Sequence, residues 1–298
     1  MKLGFSVLHY QLSEVTINCV NSILKNIDDV EIVVVDNCSP NSSGLFLEKL
    51  FESFTNVKCI KTKTNLGFAK GNNLGYSYLK SIGCDYICCI NNDILITQSN
   101  FKNILQDEFK KNHFAVFAPK VILQDKSIQS FNPELGSIKY YEEELSKWEI
   151  SSSFKEYYSQ KSFLTKLMIN YPKIGGELRK IKQKIFNVND KPLVNVVLHG
   201  CFLVFSPIFI ERFDDAFDSR TFMYREEELL YIKVRSNAMK TLYSPSFSII
   251  HLEDLSTNSV VNSNDEKFYF MKSNQISSLK ILISTMKEAA SKKENLWD

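Results

Sequence analysis

Two apolar segments of the chain stop abruptly at acids and amides. Tyr86-Ile87-Cys88-Cys89-Ile90 runs into Asn91-Asn92-Asp93, and Val33-Val34-Val35 runs into Asp36-Asn37-Cys38-Ser39. Carboxyl ends of buried parallel strands are where open α/β sheets hold their ligands. Asp93 is therefore placed to meet a cation, most simply a divalent metal. Asp36 has two readings: an acceptor for the base or sugar of a nucleotide, or the side chain of a turn completed by Ser39.

Three other groups carry polar chemistry at defined spacing. Asn65-Leu66-Gly67-Phe68-Ala69-Lys70-Gly71-Asn72-Asn73-Leu74-Gly75 crosses from a loop into a helix. A helical glycine costs about 1 kcal/mol relative to alanine, so Gly71 and Gly75 imply close packing on a sheet or close approach of backbone amides to a phosphate. His251 closes the apolar run Phe247-Ser248-Ile249-Ile250 and reads as a structural residue or a ligand. Glu226-Glu227-Glu228, taken alone, read as a solvated helix start that suits the positive end of the helix dipole.

The elements that must position these residues alternate strand and helix, the pattern of βαβ units and a mostly parallel sheet. Strands are predicted over Leu3 to Leu8, Glu31 to Val35, Val57 to Lys61 and the run ending at Asp93. Helices are predicted from a cap at Ser13, over Leu45 to Phe54, and within Asn65 to Ser81. Further on, a helix to Lys111, a strand at Ala115 to Ala118, an apolar run from Val194 to Phe205 and a short helix over Ser206 to Arg212 are expected. Tyr224 to Met239 reads as a helix, Phe247 to Ile250 as a strand, and Lys267 to Ala290 as C-terminal helix. Between lies a polar insertion; Lys147 to Lys191 holds ten basic and four acidic residues, a net of +6. Its Arg179, Lys180, Lys182 and Lys184 read as a solvated helical face or as a contact for anionic lipid. Ile276, Leu279, Ile283 and Met286 have amphipathic spacing, which suits core packing or a homodimer contact ahead of membrane binding.

The chain has 298 residues, 44% apolar and 12% aromatic, enough for a full core. Its 36 basic and 34 acidic residues nearly cancel, which argues against a dedicated nucleic-acid binder. Seven cysteines show no CxxC pair and no zinc spacing, so they read as reduced, mostly buried thiols. No stretch reaches the roughly 18 apolar residues of a membrane span, and the expected location is cytoplasmic, with peripheral contact to the inner face of the plasma membrane open.

The order and spacing of the motifs resemble family 2 glycosyltransferases of the rhamnosyltransferase-like branch. The similarity rests on Asp36-Asn37-x-Ser39, Asn65-Leu66-Gly67-Phe68 to Asn73-Leu74-Gly75, and Asn91-Asn92-Asp93. It continues through His199-Gly200-Cys201-Phe202-Leu203-Val204, Phe213 to Asp218, Phe222-Met223-Tyr224 with Glu226-Glu227, and Tyr243-x-Pro245 to His251. The resemblance implies an α/β fold of the GT-A type, with a Rossmann-like, mostly parallel sheet, over residues 1–256. Within it residues 1–118 would bind the nucleotide-sugar, 119–193 form the basic insertion and 194–256 supply the acceptor half, followed by a helical extension over 257–298.

The implied activity is inverting transfer of a sugar from a UDP- or dTDP-sugar to a polysaccharide or lipid-linked glycan. A divalent ion, Mn²⁺ or Mg²⁺, would bridge the diphosphate on Asp93 and His251. Asp36, Asn37, Ser39, Asn65, Gly67, Phe68, Asn73, Asn91 and Asn92 would bind the nucleotide-sugar. Glu227 aligns with the family's general base, and Glu226 stands second. Asn91 and Asn92 depart from Asp-x-Asp, leaving one carboxylate, so metal affinity without nucleotide should be modest. Two other functions stay open: a non-catalytic module that binds nucleotide-sugar or a partner, and a nucleotidyltransferase, which would normally show a basic glycine-rich loop where His9-Tyr10-Gln11-Leu12 stands.

Overall fold

The structure is a computed structural model, described here over residues 1–129, 131–160, 190–252 and 264–292. The basic residues Arg179, Lys180, Lys182 and Lys184 lie outside the described residues. Strands β1 (Leu3–His9), β2 (Val30–Asp36), β3 (Val57–Lys61) and β4 (Tyr86–Asn91) form a parallel block in the order β3-β2-β1-β4. Their connections are α1 (Ser13–Asn26), α2 (Ser43–Leu50) and α3 (Gly67–Ser81). The sheet continues through β8 (Phe202–Phe205), β6 (Val116–Leu123), β9 (Thr241–His251) and β5 (Ile94–Ile96), with β7 (Leu193–Val194) beside β9. Among these nine described strands β5, β7 and β8 run against the other six, so the sheet is mostly parallel.

The alternation of β4 shows how one strand serves both faces. Tyr86, Cys88 and Ile90 join the core under α1 and under α4 (Phe101–Asn112). Ile87 and Cys89 face the other way, toward Tyr76 and Leu79 of α3 and Phe209 of α7 (Pro207–Arg212). Side chains of successive strand residues point to opposite faces, and burial on both is why β4 reads as an unbroken apolar run. A third core joins Tyr141 and Trp148 of α5 (Ile138–Ile150), Tyr157 of α6 (Phe154–Ser159), and Leu229 and Ile232 of α8 (Glu226–Arg235). Leu279, Leu282, Ile283 and Met286 of α9 (Asn264–Ser291) complete it. The amphipathic tail is thus core within the chain, packed on the helices of the insertion segment.

Several boundaries differ from those the sequence predicts, each for a local reason. Ser13 is the first residue of α1 rather than its cap, and no side chain caps that end. The run from Val194 to Phe205 is strand only at its ends; residues 195–201 form a loop. β6 and β9 extend well beyond Ala115 to Ala118 and Phe247 to Ile250, their shared ladder shifting register between Pro119 and Lys120, where Pro119 faces Ser244 and Lys120 faces Ser248. Proline has no N–H for a ladder, and Pro119 and Pro245 mark that irregularity.

The glycines of α3 report close packing. A Cβ on Gly71 would meet Leu8 at 2.7 Å, and one on Gly75 would run into Ser6 Oγ, so both sit against β1. Gly67 opens the helix at φ 78° with the Phe222 carbonyl where a Cβ would be. Gly67→Ala is expected to destabilise the fold by about 1–3 kcal/mol, read as a lowered midpoint in a thermal melt.

Candidate active site

The parallel block opens at its carboxyl end into a cavity of about 450 Å³. Asn37, Asn65, Gly67 and Phe68 line one side, Asn91 and Asn92 the strand end, and His199 and Gly200 the loop before β8. The far wall is the Phe222 to Glu228 segment, and Phe270, Met271 and Gln275 of α9 close it.

Two consecutive left-handed residues, Tyr224 at φ 76° and Arg225 at φ 68°, turn the chain into α8. Non-glycine residues hold such backbone only where the surroundings enforce it. Here Phe68 N–H donates to the Phe222 carbonyl at 2.7 Å, and Ser278 Oγ donates to the Met223 carbonyl at 2.8 Å. The Arg225 guanidinium bonds Glu228 at 2.9 Å and Gln275 at 3.2 Å. The turn carries Glu226 and Glu227 into the cavity rather than into solvent. Glu226 is buried, and its Oε1 has no hydrogen-bond partner. Burial first, and then the charge of Glu227, pushes its carboxyl up to about 8. Glu227 is pushed up to about 7 by burial and by Glu228, while the Gly200 amide, donating to Oε1 at 3.2 Å, pulls it back. A Cβ on Gly200 would lie 2.5 Å from that oxygen, so glycine is what lets the loop hold Glu227.

Asp93 and His251 sit behind the strand end. Asp93 Oδ1 lies 3.2 Å from His251 Nε2, yet it has no hydrogen-bond partner. His251 Nδ1 faces the Gln129 carbonyl oxygen at 2.8 Å, which can only accept. Nδ1 therefore donates to Gln129 Oε1, and Nε2 is the ring nitrogen turned to the buried carboxylate oxygen of Asp93. About 3 Å is the spacing of adjacent ligands around an octahedral ion with bonds near 2.1 Å, so this pair fits a divalent cation. No group of three or more His, Cys, Asp or Glu that could hold a metal occurs among the described residues.

The sequence matches the glycosyl transferase family 2 profile over residues 8–213, more than half of the chain. The chain belongs to this family. No curated protein is matched by the sequence. Among solved structures it is similar to residues 1–349 of S. aureus TarS in complex with UDP-GlcNAc, at 13% identity and a TM-score of 0.51, covering 98% of this chain and 73% of that one. The same segment without ligand gives 15% identity and a TM-score of 0.51, covering 99% and 76%. The longer TarS chain gives 17% identity and a TM-score of 0.50, covering 90% of this chain and 41% of that one. The fold of this family 2 chain is accordingly GT-A. The profile ends before Glu226, Glu227, His251 and α9.

Several residues expected to touch the donor hold backbone around the cavity. Asp36 Oδ1 accepts the Ser39 N–H at 3.1 Å, the turn reading, and Ser39 Oγ accepts from Gln11 N–H at 2.8 Å; neither lines the cavity. Asn73 holds the backbone of Phe217 through both ends of its amide, at 3.0 and 2.8 Å, and also lies off the cavity. Asn37 lines the cavity, but its amide is occupied by Leu66 N–H at 2.8 Å and Gly67 O at 3.0 Å. With Asn65 Oδ1 taking the Gly67 N–H at 2.9 Å and Phe222 taking that of Phe68, the amides of 66 to 68 are used internally, which removes the phosphate-cradle reading of this loop. The Asn92 amide donates to Thr16 Oγ1 at 3.0 Å.

Other residues line the site without a role that the sequence predicts. His199 is one, although it is the polar residue that interrupts an apolar run just before Gly200-Cys201. Arg225 and the α9 wall are the others, and nothing local in the sequence brings residues so far apart in the chain together.

Proposed function

We propose that this family 2 chain is an inverting, metal-dependent glycosyltransferase of the rhamnosyltransferase-like branch. It moves a hexosyl or deoxyhexosyl group from a UDP- or dTDP-sugar to a glycan or lipid-linked glycan in surface polysaccharide synthesis. One observation carries the reading: a buried acid pair with raised proton affinity lines the same cavity as Asn91 and Asn92, and the next residue on that strand end, Asp93, lies buried off the cavity against His251. The TarS complex with UDP-GlcNAc supports a nucleotide diphosphate sugar as donor.

Glu227 accepts the proton of the acceptor hydroxyl as that oxygen attacks the anomeric carbon. The bond from that carbon to the diphosphate oxygen breaks, its electron pair leaves with the diphosphate, and attack opposite the leaving group inverts the anomeric centre. The Gly200 amide fixes the carboxylate during this step. Asp93 and His251 would hold Mn²⁺ or Mg²⁺, which when bound neutralises charge on the diphosphate. Phe68, Phe222 and Phe270 give the cavity apolar surface.

A base works only when ionised, so the rate must rise with pH until Glu227 is deprotonated. The expected kcat/KM increases about tenfold per pH unit below about 7, the value to which Glu227 is raised, and levels above it. A profile with its limb near 4.5, the ordinary value for Glu, would remove Glu227 as the base. Binding tests the donor directly: calorimetric titration with UDP and dTDP in Mn²⁺ should show saturable binding of at least one, and binding of neither would overturn the reading.

A further inference from the structure

We propose that His199 donates a hydrogen bond from Nε2–H to the diphosphate of the donor, a role opposite to that of His251. The proposal rests on the nucleotide-sugar reading of the cavity. The two imidazoles are neighbours, with ring centroids 6.1 Å apart and planes at 68°, but their surroundings fix opposite tautomers. His251 donates its Nδ1–H to the Gln129 side-chain oxygen and turns Nε2 to Asp93. At His199 the Cys201 backbone N–H donates to Nδ1 at 3.2 Å. A ring nitrogen that accepts an N–H carries no proton, so the His199 proton is on Nε2. His251 is therefore set up as a metal ligand and His199 as a donor that cannot ligate through Nε2 without losing its proton.

The position of His199 gives the donor something to bind. It lines the cavity that Asn91 and Asn92 also line, and its ring neighbours His251, which in turn lies against Asp93. Several of the donors that line the cavity are already used within the protein. The amides of Leu66, Gly67 and Phe68 are used internally, the Asn92 amide bonds Thr16, and the two terminal nitrogens of Arg225 bond Glu228 and Gln275, leaving only its Nε without a partner. Asn91 and Asn92 supply no charge. A preorganised neutral N–H contributes a charge-assisted hydrogen bond to a phosphate oxygen without adding a cation that would compete with the metal.

The test compares binding of UDP (or dTDP, whichever the wild type binds) with binding of the bare nucleoside, uridine or thymidine, in Mn²⁺. His199→Ala should weaken nucleotide diphosphate binding by about 10- to 100-fold, the range of a hydrogen bond to a charged group, and leave nucleoside binding unchanged. His199→Gln, whose terminal N–H reaches about as far as Nε2, should keep affinity within about threefold of wild type. Equal losses for diphosphate and nucleoside, unchanged diphosphate affinity in His199→Ala, or a Gln variant as weak as the Ala variant would overturn the proposal. Wild type that binds neither UDP nor dTDP would overturn the nucleotide-sugar reading itself.

Discussion

Replacing Glu227 with Gln is expected to lower kcat by about 10²- to 10⁴-fold, the usual contribution of a positioned general base, with KM for the donor little changed. Gln keeps the size of the side chain and can still accept the Gly200 N–H that holds Glu227, so the loss isolates proton transfer. Glu226→Gln should cost less, because Glu226 is raised to about 8 and is mostly protonated at neutral pH. Steady-state release of nucleotide diphosphate from the preferred donor, with acceptor present, measures both. A Glu227→Gln rate equal to wild type would show that Glu227 is not the base, and a larger loss in Glu226→Gln would exchange their roles.

Asp93→Ala should abolish most of the thermal stabilisation that UDP or dTDP gives in the presence of Mn²⁺. A ligand at about 100 times its Kd stabilises by about 2.7 kcal/mol, which for a chain of this size raises Tm by about 5 °C. The chain offers the cation one carboxylate and one imidazole, so removing Asp93 leaves His251 alone among its own ligands. Wild type without Mn²⁺ should behave like the variant with it, because ion and nucleotide complete each other's coordination. An Asp93→Ala protein that keeps the full Mn²⁺-dependent shift would place the ion elsewhere.

The parts of this arrangement that rest on local pattern were legible in the sequence. Tyr86 to Ile90 is apolar on both faces because β4 lies between two cores, and its end at Asp93 marks the ligand side of the sheet. The uses of Asn37 and Asn73 were not legible, and the turn at Asp36 was legible only as one of two readings, because an amide or carboxylate that binds backbone looks the same in sequence as one that binds ligand. β5 has three residues, too few for any periodicity. Taken alone, Glu226 and Glu227 read as a solvated helix start, and only the family resemblance points to them as the base; their burial comes from the turn at Tyr224 and Arg225 and from α9, which returns from the far end of the chain to cover α8. The role of His199 depends on a single backbone N–H from Cys201, which a sequence pattern does not encode.

The measurement that bears most directly on the proposed activity is product analysis across UDP- and dTDP-sugars with Mn²⁺. Nucleoside diphosphate should be released from at least one of them, together with a sugar of inverted anomeric configuration as seen by proton NMR. Release of nucleoside monophosphate, retention at the anomeric carbon, or no turnover of any donor would contradict it.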